Sequence, residues 1–254
     1  MANPWIMKME QFTSFSEPDR RLLDELASAH QRHYAAREDI IREGEHSPDN
    51  HLILSGLACR YKLLPDGGRQ IVAFLVPGDL CDAEIFILKE MDHSICALGP
   101  CLIASISGDR VRDLLLNRPG IALALWWGTL QDEGVLRARI VDIGRRDARQ
   151  RIVHIIYEVL VRLRAVGAAT DDGFDWPTTQ ADLADATGLT TVHVNRTLQR
   201  LREEGLIGIE GKRLTVLSRS GLREAADFNP NYLHLDRATD DQGSAAAKRA
   251  EGLI

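Results

Sequence analysis

Cysteine is scarce in this chain: Cys59, Cys81, Cys96 and Cys101 are its four in 254 residues, all in the N-terminal half and none at CxxC spacing. Without an export signal, such residues are expected to be reduced, buried small hydrophobes rather than disulfides. The stretch MANPWIMKMEQ has no charged segment leading into an apolar run with a small-residue cleavage site. No uninterrupted apolar stretch approaches the roughly 20 residues that cross a bilayer. The expectation is a cytoplasmic protein that engages no membrane. Also missing are an activated-nucleophile motif, a phosphate loop and His/Cys spacing suited to a metal. No catalytic residue, cofactor or metal is therefore assigned, and the chain reads as a non-enzyme. Nor is there a basic excess: the net charge of -6 argues against indiscriminate coating of nucleic acid.

What is present is the composition of an ordinary folded protein, 44% hydrophobic and 27% charged, with length enough for two modest cores. Residues 178–207, TTQADLADATGLTTVHVNRTLQRLREEGLI, read as two helices joined by a tight turn. Thr179 and Asp182 have capping-box spacing, with Asp for the commoner Glu. Gly188 supplies a left-handed turn residue, and Thr190 caps the second helix. In that helix Val194, Leu198 and Leu201 recur as a buried stripe, leaving Thr191, His193, Asn195, Arg196, Gln199 and Arg200 outside. Asn and Arg near a helix N-terminus are residue types that read adenine and guanine in the major groove. Downstream, residues 206–209 and 213–217 around Glu210-Gly211-Lys212 signal a hairpin, which completes a winged helix. Any helical hairpin shares the turn and stripe, and a winged helix can serve protein contacts instead. Local charge favours DNA: between residues 190 and 223 the cations Arg196, Arg200, Arg202, Lys212, Arg213, Arg219 and Arg223 face only Glu203, Glu204 and Glu210.

Upstream, a helix is expected over residues 17–30, with Leu22, Leu23, Leu26 and Ala27 on one stripe. Gly44, Gly56, Gly67 and Gly78 then recur at intervals of 12, 11 and 11 between short apolar or alternating runs. Such regular turns mark an antiparallel sandwich or barrel. Pro119 opens a long helix to about residue 144, a rod on the order of 37 Å. Its Leu123, Trp126, Trp127, Leu130, Leu136, Ile140 and Ile143 are more apolar surface than one β-domain is expected to cover. After a break at Gly144-Arg145-Arg146-Asp147, Asp147 caps a helix through Leu163, with Ile152, Ile155, Ile156, Val159 and Leu163 inward. Asp171-Asp172-Gly173 reads as a turn into an extended Phe174-Asp175-Trp176-Pro177. Residues 220–227 read as a short helix and residues 229–254, with Asp240-Asp241-Gln242-Gly243-Ser244, as a polar, loosely held tail.

Gly188, Thr190, Val194 and Arg196 fit the pattern Gly-x-[Ser/Thr]-x-x-x-[Val/Ile]-x-Arg. Glu43-Gly44-Glu45, Leu54-Ser55-Gly56, Pro65-Asp66-Gly67 and Pro77-Gly78-Asp79 fit the elements of a cyclic-nucleotide-binding-like β-roll. On these residues the chain, over about residues 22–217, resembles the Crp/Fnr superfamily of bacterial transcription regulators. The resemblance implies an α+β fold with a sensor β-roll (residues 1–116), a dimerisation helix and hinge (117–146), a winged helix-turn-helix (147–228) and the tail (229–254). It implies double-stranded DNA, a second copy of the chain and RNA polymerase as partners. The two copies would meet along the long helix through Leu123, Trp126, Trp127, Leu130 and Ile140; simple packing of that helix on the β-domain is the alternative. DNA contacts would come from Thr179, Gln180, Thr190, Thr191, Val192, His193, Asn195, Arg196, Arg200 and Lys212.

Departures from the family pattern are informative. Cyclic-AMP-binding members follow the Pro-Gly-Asp turn with a Gly-Glu pair and then an Arg-Ser pair, where this chain has Leu80-Cys81-Asp82-Ala83-Glu84 and Asp92-His93-Ser94. The effector pocket thus falls to Asp82, Glu84, His93 and Ser94, and cyclic AMP is not the expected ligand. The effector is left unknown. His93, Cys96 and Cys101 keep open a metal- or thiol-dependent redox sensor or enzyme, although no cysteine precedes Cys59 where iron–sulfur members carry a cluster. In the second helix Val192 takes the place of a family glutamate that accepts from cytosine, and Thr191 that of an arginine, while Arg196 matches.

Overall fold

The computed structural model describes residues 2–235 other than 83–84, 89 and 171–172. The chain opens with α1 (Pro4–Met9) and α2 (Glu17–Ser28), followed by seven strands and one short helix. These are β1 (Gln31–Tyr34), β2 (Asp39–Ile41), β3 (Asp49–Ser55), β4 (Ala58–Leu63), β5 (Arg69–Leu75), α3 (Ile85–Leu88), β6 (Ser94–Ala97) and β7 (Cys101–Ser107). The strands form two antiparallel sheets, β1-β7-β3 and β2-β6-β4-β5. Gly44, Gly56, Gly67 and Gly78 all have φ between +81° and +91°, so the spaced glycines mark real turns. At Gly78 a Cβ would also lie 2.5 Å from the Pro4 carbonyl oxygen, because α1 lies directly on the turn. Besides the short α3, two further helices were not expected from the sequence. One is α1, capped by Asn3 and burying Trp5 and Met9; the other is α4 (Gly108–Asn117), capped by Ser107 and burying Val111 and Leu114.

The long helix α5 (Pro119–Arg145) starts and ends within a residue of expectation. Its outer side is strongly apolar: Leu123, Trp126, Leu130, Leu136, Ile140, Val141 and Ile143 are exposed, Trp126 by 63% and Ile140 by 71%. Trp127 departs from this set. It is only 7% exposed and stacks on Phe12 at 5.9 Å, inside its own subunit, since one residue further round a helix turns a side chain by about 100°.

Asp147 forms a full capping box with Gln150 and starts α6 (Ala148–Ala165), the central helix of the C-terminal domain. Around it stand β8 (Gly173–Asp175), α7 (Gln180–Thr187), α8 (Thr191–Glu203), β9 (Ile207–Glu210), β10 (Arg213–Val216) and α9 (Arg219–Ala226). The small sheet has the order β8-β10-β9, with β9 and β10 as the wing hairpin. The apolar core does not stop at the domain boundary. Leu57, Ile71, Phe74 and Leu98 of the β-roll join Ile155, Val159 and Leu163 of α6 in one cluster, and Phe74 stacks on Trp176 at 5.9 Å.

The tail needs correcting. Residues 229–235 are docked, not loose: a 3-10 turn (Pro230–Leu233) buries Leu233 completely. Gln131 of α5 donates to the Leu233 carbonyl, and the Tyr232 hydroxyl donates to Glu158 of α6 at 2.7 Å. Gly134 admits this turn, since a Cβ there would stand 2.4 Å from the Tyr232 carbonyl oxygen. Residues 236–254, including Asp240 to Ser244, lie outside the described residues, as do Asp171 and Asp172. Among the described residues no helix is long and apolar enough to cross a membrane.

Candidate nucleic-acid interface

The helix pair is built as its caps dictate. The Thr179 hydroxyl accepts from the Asp182 N–H at 3.2 Å, and the Asp182 carboxylate accepts in return from the Thr179 N–H at 2.7 Å. α7 ends at Gly188, with φ 68° and ψ 25°. Its successor α8 begins at Thr190, whose hydroxyl accepts from the His193 N–H at 3.2 Å. Both threonine hydroxyls are thus committed to helix starts, which leaves them less free for an outside partner than the sequence suggested.

Val194, Leu198 and Leu201 are buried in α8, while Thr191, Val192, His193, Asn195, Arg196, Gln199 and Arg200 face outward. Val192 is 59% exposed, a large apolar side chain presented to solvent beside polar neighbours. Asn195 Nδ2 donates to Gln180 Oε1 at 3.1 Å, tying the two helices at their outer face. Arg200 is already engaged, donating to Glu204 at 2.8 Å, and Glu204 also takes Arg149 at 2.6 Å. Lys212 sits in the wing turn next to Gly211, and borders a cleft of about 880 Å³ between α1, the β-roll and the wing.

The β-roll grips α7 of this pair through long-range contacts that no local pattern announces. Arg37 Nη1 and Arg69 Nη2 donate to Asp182 Oδ1 at 2.7 and 2.6 Å, and Arg69 Nε donates to Asp185 at 2.7 Å. Burial opposes ionisation of Asp182, but the Thr179 hydroxyl and backbone N–H and the two guanidiniums outweigh it and hold the carboxyl below the usual carboxylate range. Arg37 occupies a left-handed conformation, φ 71°, a strain of roughly 1–2 kcal/mol for a side-chain-bearing residue. A second bridge joins the domains at Asp79 of the Pro-Gly-Asp turn, which accepts from Lys8 of α1 at 2.7 Å and from Arg162 of α6 at 2.6 Å.

The sensor-pocket residues do not converge. Asp82 is fully buried, accepting from the His51 N–H at 2.7 Å and lying 2.6 Å from its Nδ1. Ser94 is buried and accepts from the Glu43 N–H at 2.9 Å. Glu84 lies outside the described residues. Of the three that are described, His93 alone borders the cavity of about 780 Å³ that separates the β-roll from α5. Among the described residues the cations lining that cavity are paired: Arg60 with Asp132 at 2.7 Å, Lys62 with Glu43 at 2.5 Å and Lys8 with Asp79 at 2.7 Å. His93 itself contacts Asp92 at 2.5 Å.

All four cysteines are buried. Burial pushes the Cys96 and Cys101 thiols up to about 11 and raises Cys59 and Cys81 strongly. A nucleophile or redox sensor needs the thiolate, so this environment does not favour thiol chemistry. Among the described residues no three His, Cys, Asp or Glu side chains converge as ligands for a metal.

Comparison with known proteins covers both domains. Residues 31–118 match the cyclic nucleotide-binding domain family, and residues 150–225 match the Crp-like helix-turn-helix domain family. The nitrogen fixation regulation protein FixK of Bradyrhizobium diazoefficiens is 28% identical over 70% of this chain and 73% of its own length. The transcriptional activator protein FnrL of Cereibacter sphaeroides is 26% identical over 80% of this chain and 85% of its own length. Among solved structures, FixK2 from Bradyrhizobium japonicum superimposes with a TM-score of 0.64 at 26% identity, over 77% of this chain and 96% of that one.

Proposed function

The chain belongs to the Crp/Fnr superfamily of DNA-binding transcription regulators, and from that premise we propose that it acts in the cytoplasm as a homodimer on a two-fold operator. The observation that carries the reading is the outer face of α8, where Val192, His193, Asn195 and Arg196 stand exposed on a helix held at its start by a cap and tied to α7, which the β-roll grips through Arg37 and Arg69. Arg196 has the length and fork to take guanine O6 and N7, and the Val192 methyls suit a thymine methyl where a glutamate would seek cytosine. The operator then differs from the relatives' sites at that base. Gln180, Arg200 and Lys212 flank the reading residues and are suited to phosphates, with Arg200 trading Glu204 for the backbone. Thr179, Thr190 and Thr191 shape the helix starts.

The exposed apolar side of α5, Leu123, Trp126, Leu130 and Ile140, supports pairing with a second copy. The relatives include proteins named as transcriptional activators, which supports RNA polymerase as a further partner. No catalytic step is needed for this role. The test is a mobility-shift and site-selection comparison. Arg196→Ala is expected to cost about 1–3 kcal/mol per half-site and relax base preference, while Lys212→Ala weakens all sequences alike and lowers the salt dependence. An unchanged operator and affinity for Arg196→Ala overturns α8 as the reader.

A further inference from the structure

We propose that Gln180 is a positioning residue that sets the amide of Asn195, so that α8 presents a fixed acceptor–donor pair to one adenine in each half-site. This rests on the reading of α8 as the DNA reader. An unrestrained asparagine amide is chemically two-faced: rotation by about 180° about its last bond exchanges the carbonyl and the amino group at little cost. Such a side chain distinguishes bases poorly, because it offers donor or acceptor at the same place on demand.

Asn195 is not unrestrained. Its Nδ2 donates one hydrogen to Gln180 Oε1 at 3.1 Å, across the turn between α7 and α8. A phosphate oxygen can only accept, so when the Gln180 amino group takes one, its Oε1 has to face Asn195; the bond then selects one Asn195 rotamer and leaves two groups on the amide's outer edge, the Oδ1 acceptor and the second Nδ2 hydrogen. Adenine has the complementary edge in the major groove, an amino donor at N6 beside an acceptor at N7. Guanine opposes Oδ1 with a second acceptor, thymine lacks a donor, and cytosine lacks the adjacent acceptor. Gln180 keeps its own amino group unspent by the pair, at the first position of α7, where it can take a phosphate oxygen. One side chain thereby couples the register of the backbone to the identity of a base.

The two roles separate under substitution. Both side chains are exposed, so variants are expected to keep the wild-type melting profile. Site selection with the wild-type protein should return one adenine per half-site that is lost in Asn195→Ala, with discrimination at that position falling roughly ten- to hundredfold. Gln180→Ala should lose the same preference while Asn195 is still present, and should change it no further in the Asn195→Ala background. Gln180→Glu retains an acceptor for Asn195, so it should keep the adenine preference while binding every sequence more weakly. Placing 7-deazaadenine at the selected position removes N7 and should weaken the wild type but not Asn195→Ala. The proposal is overturned if Gln180→Ala keeps the adenine preference, or if no selected adenine responds to Asn195→Ala. If the wild type selects no sequence, or Arg196→Ala selects the wild-type operator, the reading of α8 itself fails and the proposal falls with it.

Discussion

At the scale of single residues, Asp182 does the most with the least. Its carboxylate closes the capping box of α7 and accepts from Arg37 and Arg69 of the β-roll. Asp182→Asn keeps the shape and removes the charge, and is expected to cost about 1–2 kcal/mol, since Arg37 is itself partly solvated. The sign of the pH effect follows from the lowered folded-state value. A carboxyl held below its ordinary value of 3.8 stabilises the fold above that value and loses the contribution as pH falls through the folded-state value. The wild-type advantage over Asp182→Asn in melting temperature should therefore be full near neutrality and vanish in acid. A constant difference down to low pH would mean the charge plays no part. The arginine contacts could not be read in the sequence. The capping box is a local pattern, but its two arginines lie 145 and 113 residues away, and nothing local pairs them.

At the scale of elements, the ones with their own punctuation were legible. Thr179, Thr190 and Asp147 start α7, α8 and α6 because their side chains accept from N–H groups that the helix leaves unpaired, Gly188 ends α7 in a left-handed turn, and Pro119 opens α5 where no N–H is needed. Less legible was which side of an element meets what. Helical periodicity grouped Trp127 with Trp126, yet the first faces Phe12 and the second faces solvent. Isolated apolar residues also carry no period, so Tyr232 and Leu233 read as tail although they are anchored. The exposed side of α5 gives its own prediction. Leu130→Glu with Ile140→Glu places carboxylates on a surface proposed to be shared, and light scattering should report a monomer of unchanged helix content. An intact dimer in the double variant would move the interface elsewhere.

At the scale of the whole molecule, the described cations of the cavity between the β-roll and α5 are each paired with a carboxylate. A cyclic phosphate entering it meets Arg60 already held by Asp132 and Lys62 already held by Glu43. Losing the partner of the buried Arg60 costs about 2 kcal/mol, whereas the exposed Lys62–Glu43 pair contributes little. Calorimetric titration with cyclic AMP is accordingly expected to show no binding in the micromolar range, and micromolar affinity would refute this. The order of domains was legible from turn spacing and motif. Their mutual grip was not, since Phe74 on Trp176 and Asp79 between Lys8 and Arg162 are long-range contacts.

The docked turn at residues 230–233 bears on how the reading head can move. A body joined to a rod at a single point can swivel in any direction, whereas one joined at two points can only roll about the line between them. The C-terminal domain leaves α5 at Arg145 and returns to it at Gln131, about 21 Å back along the same helix. The line between those points is the axis of α5 itself. A motion of α8 that kept both attachments would be a roll about the α5 axis, and it would also have to break the ion pairs of Arg37 and Arg69 with Asp182 and part Phe74 from Trp176, so the β-roll holds the C-terminal domain against it.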